Sequence, residues 1–450
     1  MEKEVQKGIG NSGKEELRLT LRKRALQKLG LGTADRFEGR EGNRELIYYM
    51  DGLRSEGIIS SGAKRKTVKA LDNYNDIPHA MYGVSYAIYR MAKEMEEHHR
   101  LKIKDIGFRR NAMEGTFRNL SDIFSDKDFV EMVKTSANAI RKATGSEELI
   151  SRNVFSMVYD GNYRNSSFHG KDGIFMSPRY GKDEVVGCAE VIMMGYKRRE
   201  EFDSFFEKYT GSRPEARIIA LKEEKYGHYL PIKDEVFISA ATFNSVSTAT
   251  TIVHELTHSL QYRKLNAPYL TYSEDGKNET GTNAEGEGVY KNYGIISSTI
   301  AEGSACFFQE VYSASRLGKE YLNKDFLLKS LDVYANSFFH HKEGESRASM
   351  EKLGGWIENI YGALGDRSKN PADSLYNAMA KDYDRDKSNK YGMGIAIPAL
   401  LYAANGFDLN RTTKELIDAQ PYHILVEKLA HEVKNDTDGK IIGSLKEIIR

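Results

Sequence analysis

The chain has 450 residues, and its 66 lysines and arginines nearly balance its 65 aspartates and glutamates, so its formal net charge is +1 at pH 7. This balance argues against a function dominated by attraction to nucleic acid or to an anionic membrane, and we expect neither among its partners. No apolar run approaches the ~20 residues of a membrane-spanning helix. Its two cysteines cannot build a disulfide framework. Because residues 1–4 lack the apolar core of a signal peptide, we expect a cytoplasmic location.

The N-terminal segment 8–15, Gly-Ile-Gly-Asn-Ser-Gly-Lys-Glu, comes close to the phosphate-binding pattern G-x-x-x-x-G-K-[ST]. Glu15 stands where that pattern has the Ser or Thr that binds magnesium. The residues before Gly8 are mostly charged or polar, whereas the pattern follows a buried strand. We therefore interpret this segment as a flexible tail and not as a nucleotide site.

The next elements are predicted from the spacing of apolar residues. Over residues 14–150 they recur with helical periodicity and accompany no chemical motif, which predicts a helical N-terminal domain over 1–150. Residues 151–182 are rich in Gly, Asn, Ser, Tyr and Arg, a composition that suggests short strands and turns. Helical patterns return at 184–209 and again after residue 327.

The most informative motif is His254-Glu255-Leu256-Thr257-His258. Residues four apart lie on one face of a helix, so both imidazoles can bind one ion at a Zn–N distance of ~2.0–2.1 Å. Glu255 lies one step round the helix, where a carboxylate can take a proton from the attacking water. Ile252, Leu256 and Leu260 supply an apolar face to bury. The alternative is that both histidines are ordinary polar residues of a buried helix.

A catalytic zinc site needs a third protein ligand and leaves one position for water. We assign Glu302, because its helical neighbours Ser298, Ala305 and Cys306 are small enough to let a second helix approach closely. The alternative is a surface glutamate on an amphipathic helix. We interpret Cys306 as a packing residue and not as a ligand. Rival acidic ligands lie in a Gly- and Asn-rich stretch that is typical of a loop: Glu274, Asp275, Glu279, Glu285 and Glu287.

These segments resemble the gluzincin group of zinc metallopeptidases. In that group His-Glu-x-x-His on one helix is joined by a Glu on the next, often followed by Gly-x-Ala, as in Glu302-Gly303-Ser304-Ala305. Residues 216–221 and 235–240 look like the two strands that commonly precede the motif helix. The resemblance implies that the second is an edge strand along which an extended peptide lies.

Tyr391-Gly392-Met393-Gly394 is similar to a Tyr-x-x-Gly segment found after the third ligand in several such families. The resemblance implies that the hydroxyl of Tyr391 helps to stabilise the oxyanion of the tetrahedral intermediate, which is often a large catalytic contribution. With 27 tyrosines in the chain, the alternative for Tyr391 is a packing residue at a helix start.

From these features we expect a predominantly helical α+β protein. Its small mixed or antiparallel sheet would pack on the motif helix in a zincin-like core. The polar segment 267–292 between the two zinc helices predicts a lid or specificity loop. The expected division is a helical domain over 1–150, the catalytic core over 151–320 and a helical C-terminal subdomain over 321–450.

The expected activity is hydrolysis of peptide or protein substrates by a zinc metallopeptidase with one Zn²⁺ per chain. Two alternatives stay open. One is a zinc-binding recognition or scaffold protein without catalysis, against which Glu255 argues, since a structural zinc site has no use for that carboxylate. The other is a zinc hydrolase that does not act on peptides.

Overall fold

The structure is a computed structural model of the chain. It describes residues 42–102, 104–163, 182–221, 227–231, 233–239, 245–264, 287–337, 353–385, 389–419 and 422–449. The phosphate-loop-like segment 8–15 lies outside these residues. Among them, no helix is both long enough and apolar enough to cross a membrane.

The described elements are mostly helices, with three short strands, so the predominantly helical α+β class is confirmed. The described residues form two compact units, one from within 1–197 and 217–245 and the other from within 198–216 and 246–450. The predicted division of the chain at residues 150 and 320 stays a prediction.

The described residues of the first unit form seven α-helices, a short 3-10 helix (Asp72–Tyr74) and three strands. The α-helices and strands are α1 (Gly42–Ser55), α2 (Ser61–Leu71), α3 (Pro78–Lys102), α4 (Ile106–Phe124), α5 (Lys127–Thr144), α6 (Glu147–Tyr163), α7 (Lys182–Lys197), β1 (Arg217–Leu221), β2 (Gly227–Leu230) and β3 (Glu235–Ser239). Short polar side chains begin several of these helices. Asp126, for example, accepts a hydrogen bond from the backbone N–H of Phe129 at the start of α5.

Helix α6 overturns one prediction. We expected strands and turns from residue 151, but residues 151–163 continue this helix, and 164–181 lie outside the described residues. The physical reason is a helical apolar stripe: Val154, Met157 and Val158 recur at i, i+3 and i+4, and all are buried. The Gly- and Asn-rich composition that suggested turns begins only near the end of the helix.

The three-stranded sheet is mixed and has the order β1-β3-β2. Strand β1 pairs with β3 in parallel, with Ile219 opposite Phe237, and β2 pairs with β3 antiparallel, with Tyr229 opposite Val236. Both predicted strands are therefore present, but the expectation that the second is an edge strand is wrong. Strand β3 is central, because the unpredicted β2 covers the edge that an extended peptide would need. Packing of the sheet on the motif helix stays a prediction.

The second unit is helical throughout its described residues. Its helices are α8 (Arg199–Thr210), α9 (Ser245–Lys264), α10 (Glu287–Leu317), α11 (Lys324–Ser337), α12 (Leu353–Gly365), α13 (Pro371–Arg385), α14 (Asn389–Ala404), α15 (Leu409–Asp418), α16 (His423–Asn435) and α17 (Lys440–Ile449). Helix α14 is a core helix, since its residues from Gly392 to Tyr402 are all buried. A helix that is apolar all round belongs in an interior.

Helices α10 and α14 cross with their backbones in contact. A Cβ atom built at Gly303 would collide with the backbone carbonyl of Gly394, and one built at Gly394 would collide with the carbonyl of Thr299. Two residues before Gly394, a Cβ atom at Gly392 would collide with the ring of Trp356 on α12. Glycine is therefore required at these positions by close packing.

This crossing generates a stability prediction. We expect Gly303→Ala to lower the free energy of unfolding of the second unit by about 1–3 kcal/mol or more, because the added methyl group meets rigid backbone. The matched control is Gly362→Ala in α12, where nothing lies within 4 Å of the added Cβ. It should raise the free energy of unfolding by roughly 0.5–1 kcal/mol, since alanine restricts the unfolded chain.

The fluorescence of Trp356, the single tryptophan of the chain, reports on this unit during urea unfolding. Equal midpoints for Gly303→Ala and Gly362→Ala would contradict the backbone contact.

Candidate metal centre

The His-Glu-x-x-His motif lies on α9, and the predicted helix and its apolar face are confirmed. Ile252 and Leu256 are fully buried, and Leu260 nearly so. Burial of this face orients the rest of the helix. His254 and His258 then lie one turn apart on the same side, as their spacing predicts.

Glu302, near the middle of α10, meets both histidines. Its Oε2 atom lies 3.3 Å from Nε2 of His254 and 3.4 Å from Nε2 of His258. The two Nε2 atoms are 3.3 Å apart. Only 10–15% of each of these three side chains is exposed. One imidazole nitrogen from each histidine and one carboxylate oxygen thus form a nearly equilateral triangle.

Within the described part of the chain, this is the one group of three such side chains that could hold a metal ion. Of the rival ligands, Glu274, Asp275, Glu279 and Glu285 lie outside the described residues. Glu287 begins α10, but its side chain is also outside them. The predicted lid falls likewise outside the described residues, except that 287–292 form the first turns of α10.

Gln261 fixes the orientation of His258. Its amide nitrogen donates to the carbonyl of Ala301 on α10 at 3.2 Å, so its Oε1 atom is turned toward Nδ1 of His258 at 2.9 Å. The Nδ1–H therefore donates to Gln261, which turns Nε2 toward the triangle. Sequence reasoning missed Gln261, although its position three residues after His258 places it beside that ring.

The charges of the site act on His258. Burial alone lowers the pKa of this imidazole, but its hydrogen bond to Glu302 and the negative charges of Glu302 and Glu255 outweigh burial and raise the pKa to about 8. Glu255 itself is 6% exposed and lies on α9 next to the first histidine. The site therefore has a negative electrostatic character that favours a cation.

Tyr391 lies in the first turns of α14 and close to the triangle. The centre of its ring is 6.5 Å from that of His254, and the side chain is half-buried. Its position is set by the close packing of the two glycines that follow, Gly392 against Trp356 and Gly394 against Gly303. The structure thus places Tyr391 beside His254, one of the three residues of the triangle. The role of the Tyr391 hydroxyl stays a prediction.

Comparisons with protein-family models, with curated proteins and with solved structures find no match to this chain. Inference about its activity therefore rests on the chemistry of the site, which is the firmer basis for function in any fold.

We expect Gln261→Met to weaken divalent-metal binding by roughly 10- to 100-fold, because methionine keeps the length of the side chain but frees the ring of His258. Competition with a chromophoric chelator measures the dissociation constant. The thermal midpoint of the metal-free variant serves as control for folding. A dissociation constant equal to that of the wild type would show that Gln261 does not hold the ligand.

Proposed function

We propose that this chain is a zinc-dependent peptidase similar to gluzincins. His254, His258 and Glu302 bind one Zn²⁺, Glu255 is the general base, and Tyr391 stabilises the oxyanion. The observation that carries the proposal is the spacing of the three ligand atoms, which are 3.3, 3.3 and 3.4 Å apart.

This spacing fits the edges of a zinc coordination sphere. Ligand atoms at ~2.0–2.1 Å from a tetrahedral zinc are separated from one another by ~3.3–3.4 Å. The contacts of Glu302 with the two imidazoles are longer than the ~2.7–2.9 Å that is usual for a charge-assisted hydrogen bond. Glu302 is instead nearly equidistant from both imidazole nitrogens. Two nitrogens and one carboxylate oxygen are also a donor set that suits zinc and leaves a coordination position open.

The distribution of the ligands over the fold supports the same proposal. Two come from one helix, α9, and the third comes from the next, α10, with Gly303 directly after it. This is the pattern of the resemblance described above. The zincin-like core belongs to this proposal, and an extended substrate is not assigned to β3, because that strand is paired on both sides.

Each residue has a role in hydrolysis of a peptide bond. Zinc, when bound, polarises the scissile carbonyl and lowers the pKa of water toward ~7. Glu255 accepts a proton from the attacking water and passes it to the leaving amine. The hydroxyl of Tyr391 donates to the oxygen on which negative charge develops. His254 and His258, oriented from α9, would hold the ion through Nε2.

The first test is Glu255→Gln, which keeps the shape of the side chain and removes its basicity. We expect peptide hydrolysis to fall by about 10²- to 10⁴-fold, with zinc content unchanged. Glu358→Gln is the control, because Glu358 is an exposed glutamate of α12 that forms an ion pair with Lys446 of α17. It should keep both zinc and activity.

Cleavage of a peptide library and metal content are measured on the same samples. Full activity of Glu255→Gln would rule out its role as general base. Zinc bound by the wild type without cleavage of any peptide would favour the recognition or scaffold protein.

Tyr391→Phe tests the oxyanion role separately. We expect kcat to fall by about 10²- to 10³-fold with little change in KM, because the hydroxyl acts on charge that develops only in the transition state. Tyr402→Phe, a change in the same helix about three turns further on, should leave both constants near their wild-type values. Equal kcat values for Tyr391→Phe and the wild type would remove Tyr391 from the mechanism.

A further inference from the structure

Cys306 lies one turn after Glu302 on α10 and is fully buried. Its Sγ atom is 3.9 Å from Nδ1 of His254, within reach of a hydrogen bond to sulfur. The other ring nitrogen of His254, Nε2, faces Glu302 and His258. The thiol therefore lies behind the histidine, on the side away from the three ligand atoms.

The thiol has a second partner, Tyr334 on α11, whose hydroxyl is hydrogen-bonded to Cys306. Tyr334 is also hydrogen-bonded to Oε1 of Gln309, at 3.1 Å. When Nε2 of His254 binds a metal, the proton of the neutral ring is on Nδ1, and Sγ of Cys306 is the acceptor beside it. The donor and acceptor roles of His254 and Cys306 thus follow from the metal side of the ring.

This direction has a consequence for the metal site. A proton on Nδ1 places the lone pair of His254 on Nε2, which is the nitrogen at the triangle. Cys306 accepts the Nδ1–H of His254, as Gln261 accepts the Nδ1–H of His258.

We infer that Cys306 is a positioning residue of the metal site, which fixes His254 in the tautomer that binds metal through Nε2. This inference rests on the proposed zinc site and adds a residue to it. Most zinc-bound histidines donate instead to a carboxylate, a carbonyl or water, and such partners raise the basicity of the ligand. Sulfur is a weaker acceptor. It orients the ring with less electron donation to the metal, which leaves a bound cation more electrophilic.

The competing explanation is that Cys306 only fills space. Replacement by serine and by alanine separates the two explanations. Cys306→Ser keeps one donor and one acceptor, whereas Cys306→Ala removes both. For a positioning residue, alanine weakens zinc binding more than serine does. For a packing residue the order is equal or reversed, since serine places a hydroxyl in an apolar site where alanine does not.

The experiment is a zinc dissociation constant from competition with a chromophoric chelator, with thermal midpoints of the metal-free proteins beside it. We expect Cys306→Ala to weaken binding by roughly 10- to 100-fold and Cys306→Ser to recover most of that loss. Cys188→Ala, at the other cysteine of the chain, is the control and should bind as the wild type does.

Tyr334→Phe is a second variant that keeps the ring and removes only the hydroxyl. It should weaken zinc binding in the wild-type background and have little further effect in Cys306→Ala, because both changes break one chain of hydrogen bonds. Two results would overturn the role of Cys306 and leave the zinc site itself standing. In one, the wild type and Cys306→Ala bind zinc with equal affinity; in the other, Cys306→Ser binds zinc more weakly than Cys306→Ala does. Absence of zinc binding by the wild type would instead overturn the proposed function together with this inference.

Discussion

The rest of the site depends on three nearly buried polar groups. A carboxylate oxygen of Glu302 and one imidazole nitrogen each of His254 and His258 lie about 3.3 Å from one another, and little of each side chain is exposed. Burial of such groups is costly unless a cation or a proton offsets the carboxylate. The pKa of His258 is raised to about 8 for the same reason, because a proton on His258 offsets the negative charge of Glu302. Around the triangle, Gln261 and Cys306 direct the outer nitrogen of each ring, so that both inner nitrogens are available to a cation.

The crossing of α10 and α14 links this triangle to the remaining site residue. Gly303 directly follows Glu302, and Gly394 lies three residues after Tyr391. Because the two glycines bring the helix backbones into contact, the distance between the carboxylate and the phenol is set by rigid secondary structure. Catalytic groups held on packed helices need little reorganisation, which is the condition for electrostatic stabilisation of a transition state.

The motif helix and its buried face could be predicted from sequence, because the geometry of a helix fixes which residues share a side. The meeting with Glu302 could be predicted from the small residues around it on its own helix, which permit close approach of a second helix. Strand β2 and the central place of β3 could not, since pairing depends on contacts between distant segments. The prediction of strands and turns at 151–163 is wrong, because the buried apolar stripe decides the local structure there and the composition does not. Gln261 and Cys306 were missed as partners of the histidines, because such hydrogen bonds depend on how two helices pack.

The central claim is that His254, His258 and Glu302 together bind one zinc ion. The most direct measurement is the zinc stoichiometry of purified wild-type protein beside Glu302→Ala, after zinc is supplied to both. We expect one zinc per wild-type chain and a loss of at least about 100-fold in affinity in the variant, since two histidines alone do not complete a catalytic site. No stoichiometric zinc in the wild type, or equal binding by both proteins, would contradict the claim.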